Sequence, residues 1–255
     1  MLPSQGSGAW RVAVTREESD DGPLATALRA NGFTALACPV LVEAPPADPA
    51  PLVAAARTLE RYDWIVAASA RAVRAIARVR STPWPADIRT AAVGAITAAA
   101  FAEAGITRPT LIAPEPGAEA LAELLADVDW VGRRVLVPTT PGGKTILAEH
   151  LRAAWALVDE VEAYAMRALA PGDIAREWHA SAPEAAVIAS PRVAELLTAA
   201  VGADALRALR IVVSIGATTR VALARLGVAS ETPTHPDFAG CARLLADAVG
   251  RETAR

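Results

Sequence analysis

Four turns in this sequence place small, hydroxyl-bearing and cationic residues in an order suited to holding an anion. Two are serine turns, Ala68-Ser69-Ala70-Arg71 and Ala189-Ser190-Pro191-Arg192. Two are glycine turns, Gly94-Ala95-Ile96-Thr97 and Gly216-Ala217-Thr218-Thr219, the second followed by Arg220. Each turn follows a short apolar run and opens an alanine-rich stretch of helical pattern. A serine at such a point caps the helix with its hydroxyl. The same geometry aims free backbone N–H groups and the positive helix end at a negative group. Glycine lets a ligand approach the backbone, and threonine adds a hydroxyl beside it. Four such turns suit a ligand with several negative groups.

Other chemistries find less support. Pro138-Thr-Thr-Pro-Gly142-Gly143-Lys144-Thr145 sits between a strand pattern and a helix pattern, as a phosphate-binding P-loop would, but proline stands where the first glycine is required. Nucleotide hydrolysis is therefore not expected, although Lys144, the one lysine of the chain, remains available to an anion. Cys38 and Cys241 lie far apart, and His150, His179 and His235 show no HxH or HExxH spacing. No metal site is expected.

The elements that position these turns follow from periodicity. Val/Ile-rich runs predict strands at 11–15, 64–68, 90–93, 110–113, 134–137, 186–189, 211–214 and 228–231. Helical patterns cover 22–31, 50–60, 69–79, 95–104, 117–127, 144–154, 191–200, 204–208, 217–226 and 238–249. Such alternation predicts parallel sheets covered by helices, a doubly wound α/β architecture, in which ligands bind beyond the carboxyl ends of the strands. The chain also repeats itself. Arg11-Val-Ala-Val matches Arg134-Val-Leu-Val, the Ser69 turn matches the Ser190 turn, and Gly94 matches Gly216, at offsets of 121 to 123 residues. That period is too long for a solenoid and indicates a duplicated half.

Composition sets the outer limits. The 255 residues are 53% hydrophobic and 21% charged, enough for a real core and for one large or two small domains. Alanine accounts for 62 residues. With 25 basic against 28 acidic residues the net charge is −3, which argues against nucleic-acid binding. The first ten residues lack a secretory pattern, and no apolar run approaches the roughly 20 residues of a membrane span. A soluble, cytoplasmic protein with no membrane association is expected.

Taken in order along the chain, Val12-Ala-Val-Thr15-Arg16, the two serine turns, Val158-Asp-Glu-Val-Glu-Ala-Tyr164 and Ser214-Ile-Gly-Ala-Thr-Thr-Arg-Val-Ala-Leu223 resemble the uroporphyrinogen-III synthase family. The resemblance runs from Val12 to the terminal helix near Cys241–Val249. It implies two flavodoxin-like α/β domains, one of residues 1–40 with 169–255 and the other of 41–168, joined by two connecting strands near Cys38–Ala44 and Glu160–Leu169, with a cleft between them.

The family's substrate is hydroxymethylbilane, a linear tetrapyrrole with acetate and propionate side chains. The enzyme removes its hydroxyl, inverts the last pyrrole ring through a spiro intermediate and closes uroporphyrinogen III. The resemblance implies no cofactor, a monomer, and a transient handover from the preceding pathway enzyme. It places Tyr164 near the cleft as the acid that assists the leaving hydroxyl; a phenol is protonated at neutral pH, the state an acid needs. For the substrate carboxylates, local donors serve: Thr15, Arg16, Ser69, Arg71, Gly94, Thr97, Lys144, Ser190, Arg192, Gly216, Thr218, Thr219 and Arg220. The chain departs from relatives at Ala68 and Ala189, which often carry threonine, at Thr139-Thr140, where an Arg-Gly pair is common, at Ala165-Met166, and at Trp155, which replaces a glycine. These departures leave an alternative, a non-catalytic relative that senses a tetrapyrrole or another anion.

Overall fold

The computed structural model describes residues 9–106, 110–115 and 117–253. Two compact units emerge, Met1–Val42 with Arg167–Arg255, and Glu43–Met166.

The first unit is built on a parallel sheet. Its strands are β1 (Arg11–Val14), β2 (Thr34–Ala37), β10 (Ala185–Ile188) and β11 (Ile211–Ser214), in the order β11-β10-β1-β2. Alternate residues of a strand face opposite sides of a sheet. Val12, Val14, Val187 and Val213 accordingly pack under α1 (Pro23–Ala30) and α11 (Phe238–Thr253). Ala13, Ala186, Ile188 and Val212 pack under α7 (Pro171–Ser181), α8 (Pro191–Val201) and α10 (Ala217–Arg225). A short helix, α9 (Ala203–Arg207), follows α8.

The second unit repeats the plan. Its parallel sheet contains β4 (Trp64–Ala67), β5 (Arg89–Ala92), β6 (Leu111–Ile112), β7 (Arg134–Thr139) and β8 (Leu157–Glu162), in the order β6-β5-β4-β7-β8. Ile65, Ala67 and Leu136 meet α2 (Ala50–Arg57), α3 (Ala70–Val79) and α4 (Ala95–Glu103) on one face. Trp64, Val66, Val135 and Val137 meet α5 (Ala118–Leu125) and α6 (Ile146–Ala153) on the other. Helices on both faces of parallel sheets are the doubly wound arrangement that the strand and helix patterns predict. The sequence repeat maps onto it: β1, β10, β11 and β2 correspond to β7, β4, β5 and β8, and the two sheet orders superimpose under that correspondence. The chain passes between the units in β3 (Leu41–Ala44) and β9 (Ala165–Ala168), which form a two-stranded sheet of their own.

Four elements differ from the sequence expectation. Residues 228–231 form no strand; only Glu231 meets Val213 in a single bridge. Strand β2, with the pattern Thr-Ala-Leu-Ala, and the acidic β8 both lie at sheet edges, where one partner suffices and the apolar signal is weak. Helix α7 starts at Pro171, a residue suited to the first helical turn, where the sequence pattern predicts no helix. Among the described residues no helix is long and apolar enough to cross a membrane.

Two positions carry consequences for stability. Trp155 follows α6 at φ 66°, and its side chain is 77% exposed. A Cβ in the left-handed region is sterically unfavourable, and helices commonly end there on glycine. Trp155→Gly should raise the unfolding free energy by about 0.5–1 kcal/mol, read as a shift of the urea midpoint; an unchanged midpoint would mean the indole contributes packing of equal size. Cys241 on α11 is fully buried, and burial, aided by the Asp237 carboxylate, pushes its thiol up to about 11. The unfolded thiol ionises nearer its ordinary value of 9.0. The protonated folded form therefore contributes fully below about pH 9, and that contribution is lost as pH rises to about 11. The urea midpoint should fall across this window, and Cys241→Ala should make the fall shallower. An identical slope would assign the fall to other groups.

Candidate functional site

Parallel strands carry their following turns to one end of the sheet. In the second unit β4 delivers Ala68 and Ser69, β5 delivers Val93, and β7 delivers Thr139 and the loop to Lys144. All of these line one cavity of about 520 Å³, together with Gly117 and Ala118 at the start of α5 and with Tyr164. Ser69 is the N-cap of α3, its Oγ accepting the Arg71 backbone N–H at 3.2 Å. Two helix N-termini, of α3 and α5, thus open on the same space, a favourable environment for negative charge. Gly143 leaves no room for a side chain, because a Cβ there would sit 2.8 Å from Thr139 Oγ1 and 2.9 Å from the Thr140 carbonyl.

Tyr164 lies in the two-residue passage between β8 and β9, and its phenol O–H donates to Ser69 Oγ at 3.3 Å. It also lines a second cavity, of about 280 Å³, against Pro45, Leu52 and Val79. At the first cavity the Lys144 ammonium donates to Glu119 Oε1 at 2.8 Å, linking the β7–α6 loop to the first turn of α5. That hydrogen bond, more than any other influence, holds the Glu119 carboxyl below its ordinary range. The site therefore combines two helix N-termini, one ammonium, the Ser69 and Thr139 hydroxyls and a phenol. This set can bind carboxylates and supply a proton. Among the described residues, no three His, Cys, Asp or Glu side chains converge as a metal ion would require.

The structure gathers only some of the residues nominated from sequence. Ser69, Lys144 and Tyr164 share the cavity wall. Arg71, the second residue of α3, is instead paired with Glu43 at 3.3 Å and reaches Met166 Sδ at 3.2 Å. Gly94 opens α4, but Thr97 within it is buried. In the first unit Ser190 repeats the cap, its Oγ accepting the Val193 N–H at 3.3 Å, and Arg192 pairs with Glu195 on the helix surface. Gly216 opens α10; Thr218 and Arg220 are exposed, whereas Thr219 is buried. Thr15 is fully buried and donates to the Val187 carbonyl at 2.8 Å, binding β1 to β10. Arg16 pairs with Glu18 at 3.4 Å and lies 4.6 Å above the Phe238 ring. The cavity also contains residues that sequence reasoning passed over as ligand contacts: Thr139, Gly117 and Ala118, with Glu119 beside them. The Pro114-Glu-Pro-Gly117 run before a helical pattern was the available signal for the α5 N-terminus.

Comparison with known proteins bears on this arrangement. Residues 22–243 match the family model described as uroporphyrinogen-III synthase HemD. A uroporphyrinogen-III synthase of Synechococcus elongatus is 33% identical over 163 residues, which span 61% of this chain and 60% of that relative. The chain is also similar to crystal structures of a mutant uroporphyrinogen III synthase from Thermus thermophilus and of a uroporphyrinogen-III synthetase from Helicobacter pylori. The first match has a TM-score of 0.58 at 19% identity and covers 95% of this chain and 100% of the other. The second has a TM-score of 0.58 at 16% identity and covers 94% and 99%. At these identities the structural likeness speaks for the fold. With a family match running from the start of α1 into α11, and a duplicated doubly wound fold of the same kind, this chain belongs to the uroporphyrinogen-III synthase family.

Proposed function

We propose that this protein is a uroporphyrinogen-III synthase, a cyclising hydro-lyase that converts hydroxymethylbilane to uroporphyrinogen III in tetrapyrrole biosynthesis. The observation that carries the reading is the placement of Tyr164. Within a protein of this family, its phenol stands in a cavity bordered by two helix N-termini and an ammonium, so a proton donor adjoins donors suited to carboxylates. Loss of hydroxide from the substrate's carbinol needs such a donor. Ring inversion is a matter of orientation, which fixed contacts to the acetate and propionate groups supply. Lys144 and the α3 and α5 N-termini are the anion contacts of the second unit. Ser190, Gly216, Thr218 and Arg220 are those of the first. The reaction belongs in the cytoplasm, with substrate passing over from the enzyme that makes it.

An isomer assay tests this. Freshly generated hydroxymethylbilane is supplied, the products are oxidised, and the type I and type III uroporphyrins are separated. Type III above the enzyme-free control is the expected result. Type I alone, from folded protein, would overturn the proposal.

A further inference from the structure

Ser69 is nominated above as a contact for substrate, yet its hydrogen bonds point elsewhere. A serine hydroxyl has one proton to donate and two lone pairs. Here the lone pairs are both engaged, one by the Arg71 backbone N–H at 3.2 Å and one by the Tyr164 phenol at 3.3 Å. The first contact makes Ser69 the N-cap of a ten-residue helix, so its oxygen is held by secondary structure and not by a mobile loop. The duplicated turn provides a comparison within the molecule. Ser190 caps α8 in the same way through Val193, but its own unit contains no tyrosine; the other tyrosine, Tyr62, bonds Asp159 in the second unit. The Ser–Tyr contact is therefore an addition to the capping role, made in one half only.

We propose that Ser69 is a positioning residue that acts through Tyr164, deepening the synthase reading on which it rests. In the free protein its oxygen accepts the phenol proton and fixes the direction of that O–H bond. During reaction Tyr164 turns this proton to the leaving hydroxyl. The C–O bond breaks with its electron pair remaining on oxygen, water departs, and positive charge is left delocalised over the pyrrole. The phenolate left behind lies at the positive end of α3, and Ser69 rotates its own proton to donate to it. When the cyclised product sheds a proton, the phenolate takes it up. Substrate then equals product plus water, and the tyrosine is restored.

The test is a double-mutant cycle on type III formation with kcat and KM separated, each variant checked by thermal unfolding. Ser69→Ala should lower kcat about tenfold, the size of one hydrogen bond to a charged group, with KM changed less than about twofold. Ser69→Thr, which keeps hydroxyl and cap, should recover most of the loss. In a Tyr164→Phe background Ser69→Ala should cost nothing further, because the group it serves is gone. A raised KM with kcat intact would make Ser69 a substrate contact and overturn the proposal. So would an equal loss in the Tyr164→Phe background, or a folded Ser69→Thr as slow as Ser69→Ala. Type III from the wild type with additive losses overturns this assignment alone. Type I alone from the wild type overturns the synthase reading and this assignment with it.

Discussion

Replacing Tyr164 with phenylalanine should lower kcat for type III product by about 10- to 100-fold, the low end of what a positioned general acid contributes. The reason lies in what the change removes. The ring still fills the space between the two cavities, and only the O–H that meets Ser69 is lost. A single, partly exposed hydrogen bond of this kind contributes about 1 kcal/mol to stability at most. The unfolding midpoint should therefore stay close to that of the wild type. The helix N-termini and Lys144, the substrate contacts proposed here, are untouched, so KM should also hold. The residual rate then measures what orientation alone accomplishes. Turnover within about twofold of the wild type would remove Tyr164 from the chemistry.

The largest effect on stability should come from Trp130→Ala. Trp130 is 1% exposed, its indole N–H donates to the Leu125 carbonyl at 2.7 Å, and its ring centroid lies 5.0 Å from that of Trp64. It belongs to the core between the second sheet and helices α5 and α6. Truncation removes a large ring from a packed site and takes the indole N–H from the Leu125 carbonyl, which keeps only the Val128 backbone N–H at 3.2 Å. A loss of about 3–5 kcal/mol is expected from denaturant titration. Trp130→Phe restores an aromatic ring but not the N–H, and should cost about 1–3 kcal/mol. Because α5 brings Gly117 and Ala118 to the cavity, Trp130→Ala should impair substrate binding as well. A loss under about 1 kcal/mol would show that this core closes over the gap.

The strands that were plain in the sequence are those buried on both faces. Trp64–Ala67, Ala185–Ile188 and Ile211–Ser214 are buried at every position, so each reads as an uninterrupted apolar run. Edge elements read poorly for the converse reason. Strand β8, Leu-Val-Asp-Glu-Val-Glu, has one neighbour and breaks its aliphatics with three acidic residues, and the run at 228–231 gains only one bridge. The repeat was legible because matched turns recur at a constant offset, and a duplicated α/β half must reproduce its sheet order to bury both faces.

The site divides along a similar line. Sequence by itself determined the α/β class, the internal duplication, the serine and glycine turns at strand ends, and the resemblance that singled out Tyr164. These depend on local pattern, order and spacing. Which side chains share a space depends on contacts between distant residues. Thr219 stands between the exposed Thr218 and Arg220, and Thr15 beside the half-buried Arg16, yet backbone direction turns both threonines inward. Arg71 meets Glu43, 28 residues earlier, while Lys144 meets Glu119, 25 residues earlier. Tyr164 reaches Ser69 across 95 residues. No local period encodes such pairings. They exist because parallel strands bring the ends of β4 and β7 to the same edge of one sheet, and the chain leaving β8 returns Tyr164 to that edge. Tertiary structure alone decided that the Tyr164 phenol and the Ser69 helix cap would meet.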